Sequence, residues 1–275
     1  MLLMLAIITW AFWYIQQQSK KIHDAYAANE LHLIAAMKTA QISLLLQGKR
    51  DRVIDFSSDG KIKDSLRTLS EHREGTTTIA TLTNHLIANK LPIDDSFYEV
   101  YAIDLSGTVI ASTNQANVGT NLAHDTIFKI GRERPYVKNI TFDPIARIPH
   151  ITVSAPVFSE GETLAGVIAI KMLTDNLNDL ILKDYSKNSV ESYIINSERY
   201  LVTPSKYLNG DNKGVLAQKI DTEIASNCMR AVAHNEFTTH DAEKYVYINY
   251  AGKKTLGTYH IVEEFKWCVI VETEL

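Results

Sequence analysis

The sequence predicts an α+β fold in which one long N-terminal helix carries two lobes, each with an antiparallel sheet. Three observations predict it. From Gln16 to Gly48 a helical pattern of apolar residues runs without Pro or Gly. From His150 to Met172, HITVSAPVFSEGETLAGVIAIKM, the chain reads as two strands joined by a turn. An order of strand, strand, helix and further strands also occurs twice, first from Phe97 and again, abbreviated, from Ser192.

The hairpin organises the first lobe. Ile151, Val153, Ala155 and Val157 point to one side of its first strand, and His150, Thr152 and Ser154 to the other. Glu160-Gly161-Glu162 supplies the turn. The second strand, Leu164 to Met172, is apolar on both faces, which places it in the interior of its sheet. Lys171 is the exception within it, and a charge there costs free energy unless something pairs with it. Two readings stay open. Lys171 opens onto a polar cavity shared with Thr152 and Ser154, or it snorkels to the sheet edge.

The 275 residues suffice for one large or two ordinary domains. With 45% hydrophobic and 22% charged residues the chain is globular rather than disordered. A net charge of −4 offers no basic field, so no nucleic-acid partner is expected.

Met1 to Ile15, MLLMLAIITWAFWYI, carries no charge and ends in Trp10, Phe12, Trp13 and Tyr14. A membrane span needs about 20 apolar residues. The run therefore reads as the end of a transmembrane helix whose upstream part lies outside this sequence, with the aromatics as an interfacial belt. The whole chain reads as a segment of a longer protein. Ile22, Tyr26, Leu33, Met37, Ala40 and Leu44 continue the helical pattern, and Gly48 stands as its C-cap. Joined to the apolar run, this is one helix of about 45 residues, on the order of 70 Å long. Leu33, Met37, Ala40 and Leu44 are expected to pack on the domain's own sheet, and a face nearer the membrane to meet a second subunit.

Two shorter helices follow, Lys61–Glu71 and Thr76–Asn89, ended by Pro92. Phe97 to Ile103 and Thr108 to Ser112 form a hairpin around Asp104-Leu105-Ser106-Gly107. His124 to Ile130 is a short helix capped at Asn121, and Tyr136 to Phe142 is a strand before the central hairpin. These elements make a five-stranded antiparallel sheet with the long helix on one face and loops over the other. Thr174 to Tyr185 connects to the second lobe. There a hairpin (Ser192–Asn196, Tyr200–Val202), a helix (Thr222–Ala233) and three strands (Lys244–Tyr250, Lys254–His260, Lys266–Glu272) complete the chain. The expected boundaries are 1–15, 16–75, 76–173, 174–185 and 186–275.

No P-loop, Gly-x-Ser-x-Gly, His-Glu-x-x-His or convincing carboxylate pair is present, so no catalytic centre is expected in this segment. The nine histidines fall at no metal-ligand spacing, and neither a metal nor a cofactor is expected. His150 beside the central strand is a candidate ligand contact, against the plainer reading of a hydrogen-bonded wall residue. Cys228 and Cys268 read as unpaired core residues, a disulfide being the lesser alternative.

Several stretches together resemble the double Cache sensor family of bacterial and archaeal receptors. Asp104 to Ser112 and Val118-Gly119-Thr120-Asn121 look like its first hairpin and following loop. Ile151 to Val157 with Leu164 to Val167 look like its fourth and fifth strands. Tyr250, Gly252-Lys253-Lys254, Leu256-Gly257-Thr258-Tyr259 and Trp267 look like the closing hairpin of its membrane-proximal lobe. The resemblance covers about Lys20 to Leu275. It implies two PAS-like lobes, an extracytoplasmic position, a small-molecule pocket in the membrane-distal lobe, a homodimer through the long helix and no catalysis. It also implies sites. Arg132-Glu133-Arg134-Pro135-Tyr136 matches in part a segment that contacts a ligand carboxylate, without its tryptophan. Arg134 then serves as a carboxylate fork and Tyr136 as a wall, against the plainer reading of a surface arginine. Asp143 matches a position that receives an ammonium or hydroxyl, against an Asp-Pro turn with Pro144. Lys171 stands where amino-acid-binding members often carry an aspartate. Its reversed sign implies a carboxylate or other anion instead of an ordinary amino acid. The candidate ligand-binding set is thus Arg134, Tyr136, Asp143, His150, Thr152, Ser154 and Lys171. The reading is an extracytoplasmic, membrane-anchored sensor domain that binds a small anion. The rival is a ligand-free interaction module.

Overall fold

A computed structural model describes residues 2–71, 75–143, 147–159, 162–182, 190–209, 213–236 and 245–275. The architecture is α+β, with a long N-terminal helix and two antiparallel sheets, as expected; the first has five strands and the second four. The chain divides into two compact units, 42–179 and 1–41 with 180–275.

Helix α1 runs from Leu2 to Ser58, ten residues beyond Gly48. Gly48 sits inside the helix, where a side chain would meet no neighbouring atom. The break comes at Asp59, whose side chain accepts from the amides of Lys61 and Ile62 at 2.9 and 3.1 Å. That is an N-cap for α2, Gly60–Glu71, and it starts a new helix in place of ending the old one gradually.

The buried stripe of α1 is not the expected one. Ala28, Leu31, Ala35, Lys38, Ile42, Leu46, Val53 and Phe56 are buried, at steps of three, four and seven. Ile22, Tyr26, Leu33 and Leu44 are 56% to 72% exposed, and Met37 and Ala40 lie on the same exposed side. The helix carries two apolar rows, and periodicity alone does not choose between them. The chosen row contains a lysine because Lys38 has work there. Its ammonium donates to the carbonyls of Leu180 and Ile181 at 3.0 and 2.7 Å, at the end of α5, Asp175–Leu182. A cation on those unpaired carbonyls satisfies both partners. Among the described residues, no helix is long and apolar enough to cross a membrane.

The five-stranded sheet has the order β2-β1-β5-β4-β3. Its strands are β1 Phe97–Ile103, β2 Val109–Ser112, β3 Tyr136–Phe142, β4 Pro149–Phe158 and β5 Leu164–Leu173. The doubly apolar β5 lies at the centre, as its sequence requires. Of its turn, only Glu162 lies within the described residues, and the Asp-Pro turn partner Pro144 lies outside them. Helix α3 (Thr76–His85) precedes the sheet, and α4 (Thr126–Lys129) lies between β2 and β3. Asp125, not Asn121, caps α4, accepting from Ile127 N at 2.9 Å.

The four-stranded sheet has the order β6-β9-β8-β7, from Val190–Ile195, Trp267–Glu274, Lys254–Val262 and Tyr245–Ile248. The expected strand at Tyr200–Val202 is reduced to isolated bridges, Ile195 with Leu201 and Tyr200 with Lys219. Helix α6 (Glu223–His234) packs Ile224, Ala225, Cys228 and Val232 against Tyr193, Ile195, Tyr259 and Ile270. Cys228 on α6 and Cys268 on β9 form a disulfide, which corrects the expectation of two free thiols. Strand alternation puts Cys268 on the α6 side and Trp267 on the other, where Trp267 is fully buried and stacks on Phe265 at 4.6 Å.

Candidate functional site

A cavity of about 650 Å³ lies over one face of the five-stranded sheet. Its floor follows from strand register. Glu99 on β1 faces Lys171 on β5, Lys171 faces Thr152 on β4, and Thr152 faces Lys138 on β3. Alternation puts all four on one face, a polar row about 14 Å across at about 4.8 Å per strand. One pleat further along, Tyr101, Ala169, Ser154 and Tyr136 form the next row. The loop after β2 supplies Asn114, Ala116, Asn117, Thr120 and Leu122, and α4 supplies Ile127 with its cap Asp125. Thr141, Phe142, Asp143 and His150 close the β3–β4 end.

The charges are paired. Lys171 Nζ lies 2.7 Å from Glu99 Oε2, 3.8 Å from Asp143 Oδ2 and 5.8 Å above the Tyr101 ring. Glu99, 1% exposed, also accepts from Ser112 Oγ at 2.6 Å and from Asn117 Nδ2 at 2.9 and 2.8 Å. A buried carboxylate is stable only with such a set of donors. Lys138 Nζ pairs with Asp125 Oδ2 at 2.6 Å. Burial pushes the Asp125 carboxyl up, but Lys138 and the Ile127 amide outweigh it and hold it below the usual range. Burial, with Lys171 nearby, lowers His150 below an ordinary histidine, so it is neutral at pH 7. Its Nδ1 donates to the Ile148 carbonyl at 3.3 Å, and its Nε2 meets Thr141 Oγ1 at 3.3 Å. Three carboxylates and two ammoniums thus ring the cavity, in contact or nearly so, around a neutral imidazole.

Of the seven candidate residues, Asp143, His150, Thr152 and Lys171 line the cavity together. The other three do not. Arg134 is exposed beyond the end of α4. Tyr136 is half-buried against the cluster of Tyr101, Ile127 and Phe128. Ser154 is sealed beneath α4, its hydroxyl donating to the Ile127 carbonyl at 2.9 Å, and Gly131 leaves the room for that contact. In place of Arg134 and Tyr136 the cavity is lined by Lys138, Asn117 and Asp125, and the partner that Lys171 requires is Glu99. Sequence reasoning passed over Glu99, although it is the one charge within Phe97–Ile103. Taken together with the odd Lys171, it pointed to a pair on adjacent strands. Asn117 and Asp125 sit in loop sequence, where no period assigns a face.

No protein-family model matches the chain, and no curated protein matches it by sequence. Solved structures do. The sensor domain of the V. cholerae histidine kinase DctB is 14% identical, with a TM-score of 0.66, covering 91% of this chain and 98% of that one. The ligand-binding domain of the Pseudomonas aeruginosa amino acid chemoreceptor PctC, in complex with GABA, is 16% identical. Its TM-score is 0.61, covering 90% of this chain and 100% of that one. The ligand-binding domain of the Campylobacter jejuni chemoreceptor Tlp3, in complex with L-valine, is 12% identical. Its TM-score is 0.62, covering 90% and 93%. The chain has the double Cache fold of bacterial receptor sensor domains.

Proposed function

We propose that this chain is the extracytoplasmic sensor domain of a membrane-anchored receptor, and that the cavity in its five-stranded lobe binds a small carboxylate-bearing metabolite. One observation carries the reading: the polar row Glu99–Lys171–Thr152–Lys138 forms the floor of a roofed cavity of small-ligand size. An ammonium has three protons to give. The pairing with Glu99 engages one of them, and a carboxylate above the row takes another while Thr152 Oγ1 and Lys138 approach its second oxygen. Asp143 and Asp125 on the rim suit a hydroxyl or amino group elsewhere on the ligand. The cavity holds as many carboxylates as cations or more, so the ligand is not a bare anion. The neighbours' complexes with GABA and L-valine, both small and carboxylate-bearing, support that class.

The exposed row Ile22, Tyr26, Leu33, Met37 and Leu44 is the surface assigned to a second copy of the helix, with the apolar start of α1 leading to the membrane. Membrane anchoring then strengthens a weak contact through effective concentration. Signal passes out along the helix, and this segment performs no chemistry. A thermal-shift screen with small carboxylates, amino acids and simple amines tests the ligand class. Stabilisation by carboxylate-bearing compounds is expected. Stabilisation by amines alone overturns it, and no response from any class favours the ligand-free interaction module.

A further inference from the structure

The four-stranded lobe repeats the polar row with different charges. Glu191 on β6 faces Glu272 on β9, and Glu272 faces Gly257 on β8. Two carboxyl groups directly opposite each other on one sheet face stand about 5 Å apart at Cβ. Both residues are buried, Glu191 to 3% and Glu272 to 1% exposure.

Their partners are hydroxyls and an amide, not cations. Glu272 Oε2 accepts from Tyr193 at 3.1 Å and, closely, from Tyr247, and Oε1 accepts from Asn249 Nδ2 at 2.6 Å. Tyr247 reaches it across Gly257, where a side chain would meet the phenol. Glu191 Oε1 accepts from Tyr250 at 2.6 Å, and Tyr250 in turn stands 2.6 Å from Ser205 Oγ. Among the described residues, the buried Glu191 Oε2 has no hydrogen-bond partner. The nearby cation is Lys206, which is exposed, lies over the Tyr207 ring and approaches the Val190 carbonyl at 3.4 Å.

Two ionised carboxylates cannot lie buried side by side with only neutral donors around them. A proton held by the pair removes that repulsion and leaves one negative charge for the surrounding donors. We propose that Glu191 and Glu272 share one proton, and that losing it loosens the four-stranded lobe, which makes this lobe a second, pH-reading input independent of the ligand cavity.

The electrostatics agree in direction. Burial, with Glu272 adding to it, pushes Glu191 up to about 7 against the pull of Tyr250 and Lys206. Burial also raises Glu272 despite its three donors. A carboxyl whose folded value lies above its unfolded one binds more protons when folded. Its stabilisation is complete below about pH 4.5, declines as pH rises toward 7, and is gone above that. Tyr193, Tyr207, Tyr247 and Tyr250 face the same cluster and are raised by burial, so they stay protonated throughout.

Infrared spectra of the full chain in D2O between pH 5 and 8 test this without any variant. A buried protonated-carboxyl band that disappears near pH 7, together with a melting temperature falling over the same range, is the expected result. Glu191→Gln, which mimics the protonated group, should remove that band and flatten the pH dependence. Absence of the band at pH 6 in the wild type overturns the proposal, as does a pH dependence unchanged in the variant. Calcium or magnesium raising the melting temperature of the wild type but not of Glu191→Gln also overturns it, since the pair would then be a cation site.

Discussion

In the five-stranded lobe Glu99 lies opposite Lys171, and in the four-stranded lobe Glu191 lies opposite Glu272. Apart from β2, the strands correspond one for one. β1, β5, β4 and β3 carry Glu99, Lys171, Thr152 and Lys138, while β6, β9, β8 and β7 carry Glu191, Glu272, Gly257 and Tyr245. Both rows are polar rows inside a core, and they differ in what neutralises the first carboxylate. An ammonium does so in one lobe, beneath a cavity. In the other lobe phenols donate to the carboxylates, Tyr247 across Gly257, and the charge problem is left to protons. The same fold thus sets a lysine opposite the first carboxylate in one lobe and a second glutamate in the other.

The largest expected effect breaks the pair in the open lobe. Lys171→Met leaves Glu99 buried without its cation and should cost about 3–5 kcal/mol by urea unfolding. Glu99→Gln combined with Lys171→Met should recover most of that loss, because a neutral pair needs no counter-ion. A single variant as stable as wild type would falsify the pairing as the reason for both charges. In the sealed lobe the corresponding large effect is covalent. Replacing Cys228 and Cys268 by alanine should cost about 2–4 kcal/mol, since the bridge closes a long loop between α6 and β9. Ligand-induced stabilisation of the other lobe should survive it, and a loss of that response without unfolding would show the lobes to be energetically joined.

How far the sequence announced these two centres depends on what kind of signal each residue gave. Strand alternation marked five strands, and the order of those around β5 came only with the structure. The doubly apolar Leu164–Met172 marked β5 as an interior strand, because burial on both faces has a compositional mark. Lys171 was conspicuous for the same reason. Arg134 was carried to the cavity by the resemblance alone, and it lies on the exposed turn that follows α4. The α1 stripe was rotated because the helix bears two apolar rows, and the one that is buried includes Lys38, whose carbonyl partners lie 142 and 143 residues away. Glu191 and Glu272 left no local sign at all. Glu191 is the one acid of Val190–Ile195 and Glu272 one of two in Trp267–Glu274, and only register brings them opposite each other.

An intermediate effect probes the glycine that separates the two designs. Gly257→Ala puts a methyl group against the Tyr247 ring and hydroxyl and should cost about 1–3 kcal/mol by overpacking. The tyrosine that moves is a donor to Glu272, so the variant should also bind its carboxyl proton more tightly. Thermal melts at pH 5 and pH 8 check both points. A larger penalty at pH 8 is expected, and an equal penalty at both would mean that Tyr247 still reaches the carboxylate.

The smallest effect is the most discriminating. Tyr250→Phe removes one hydroxyl and leaves the ring against Tyr193 and Tyr207, at 5.2 and 5.8 Å, so packing is nearly unchanged. The lost bonds are the one Glu191 Oε1 accepts and the one shared with Ser205 Oγ, and only the first depends on the charge of Glu191. Where Glu191 is protonated, the variant forfeits a bond to a neutral group, worth about 1 kcal/mol. Where it is ionised, the bond was to a charge and is worth about 1.5–3 kcal/mol. Tyr250 pulls Glu191 down in the wild type, so the variant should hold its proton to higher pH than the wild-type value of about 7. The stability difference between variant and wild type should therefore widen as pH rises through neutrality and then level off. Chemical denaturation at half-unit pH intervals measures it. A constant difference across the range would mean that Glu191 keeps one ionisation state throughout, and the contrast between a lobe balanced by lysine and a lobe balanced by protons would not stand.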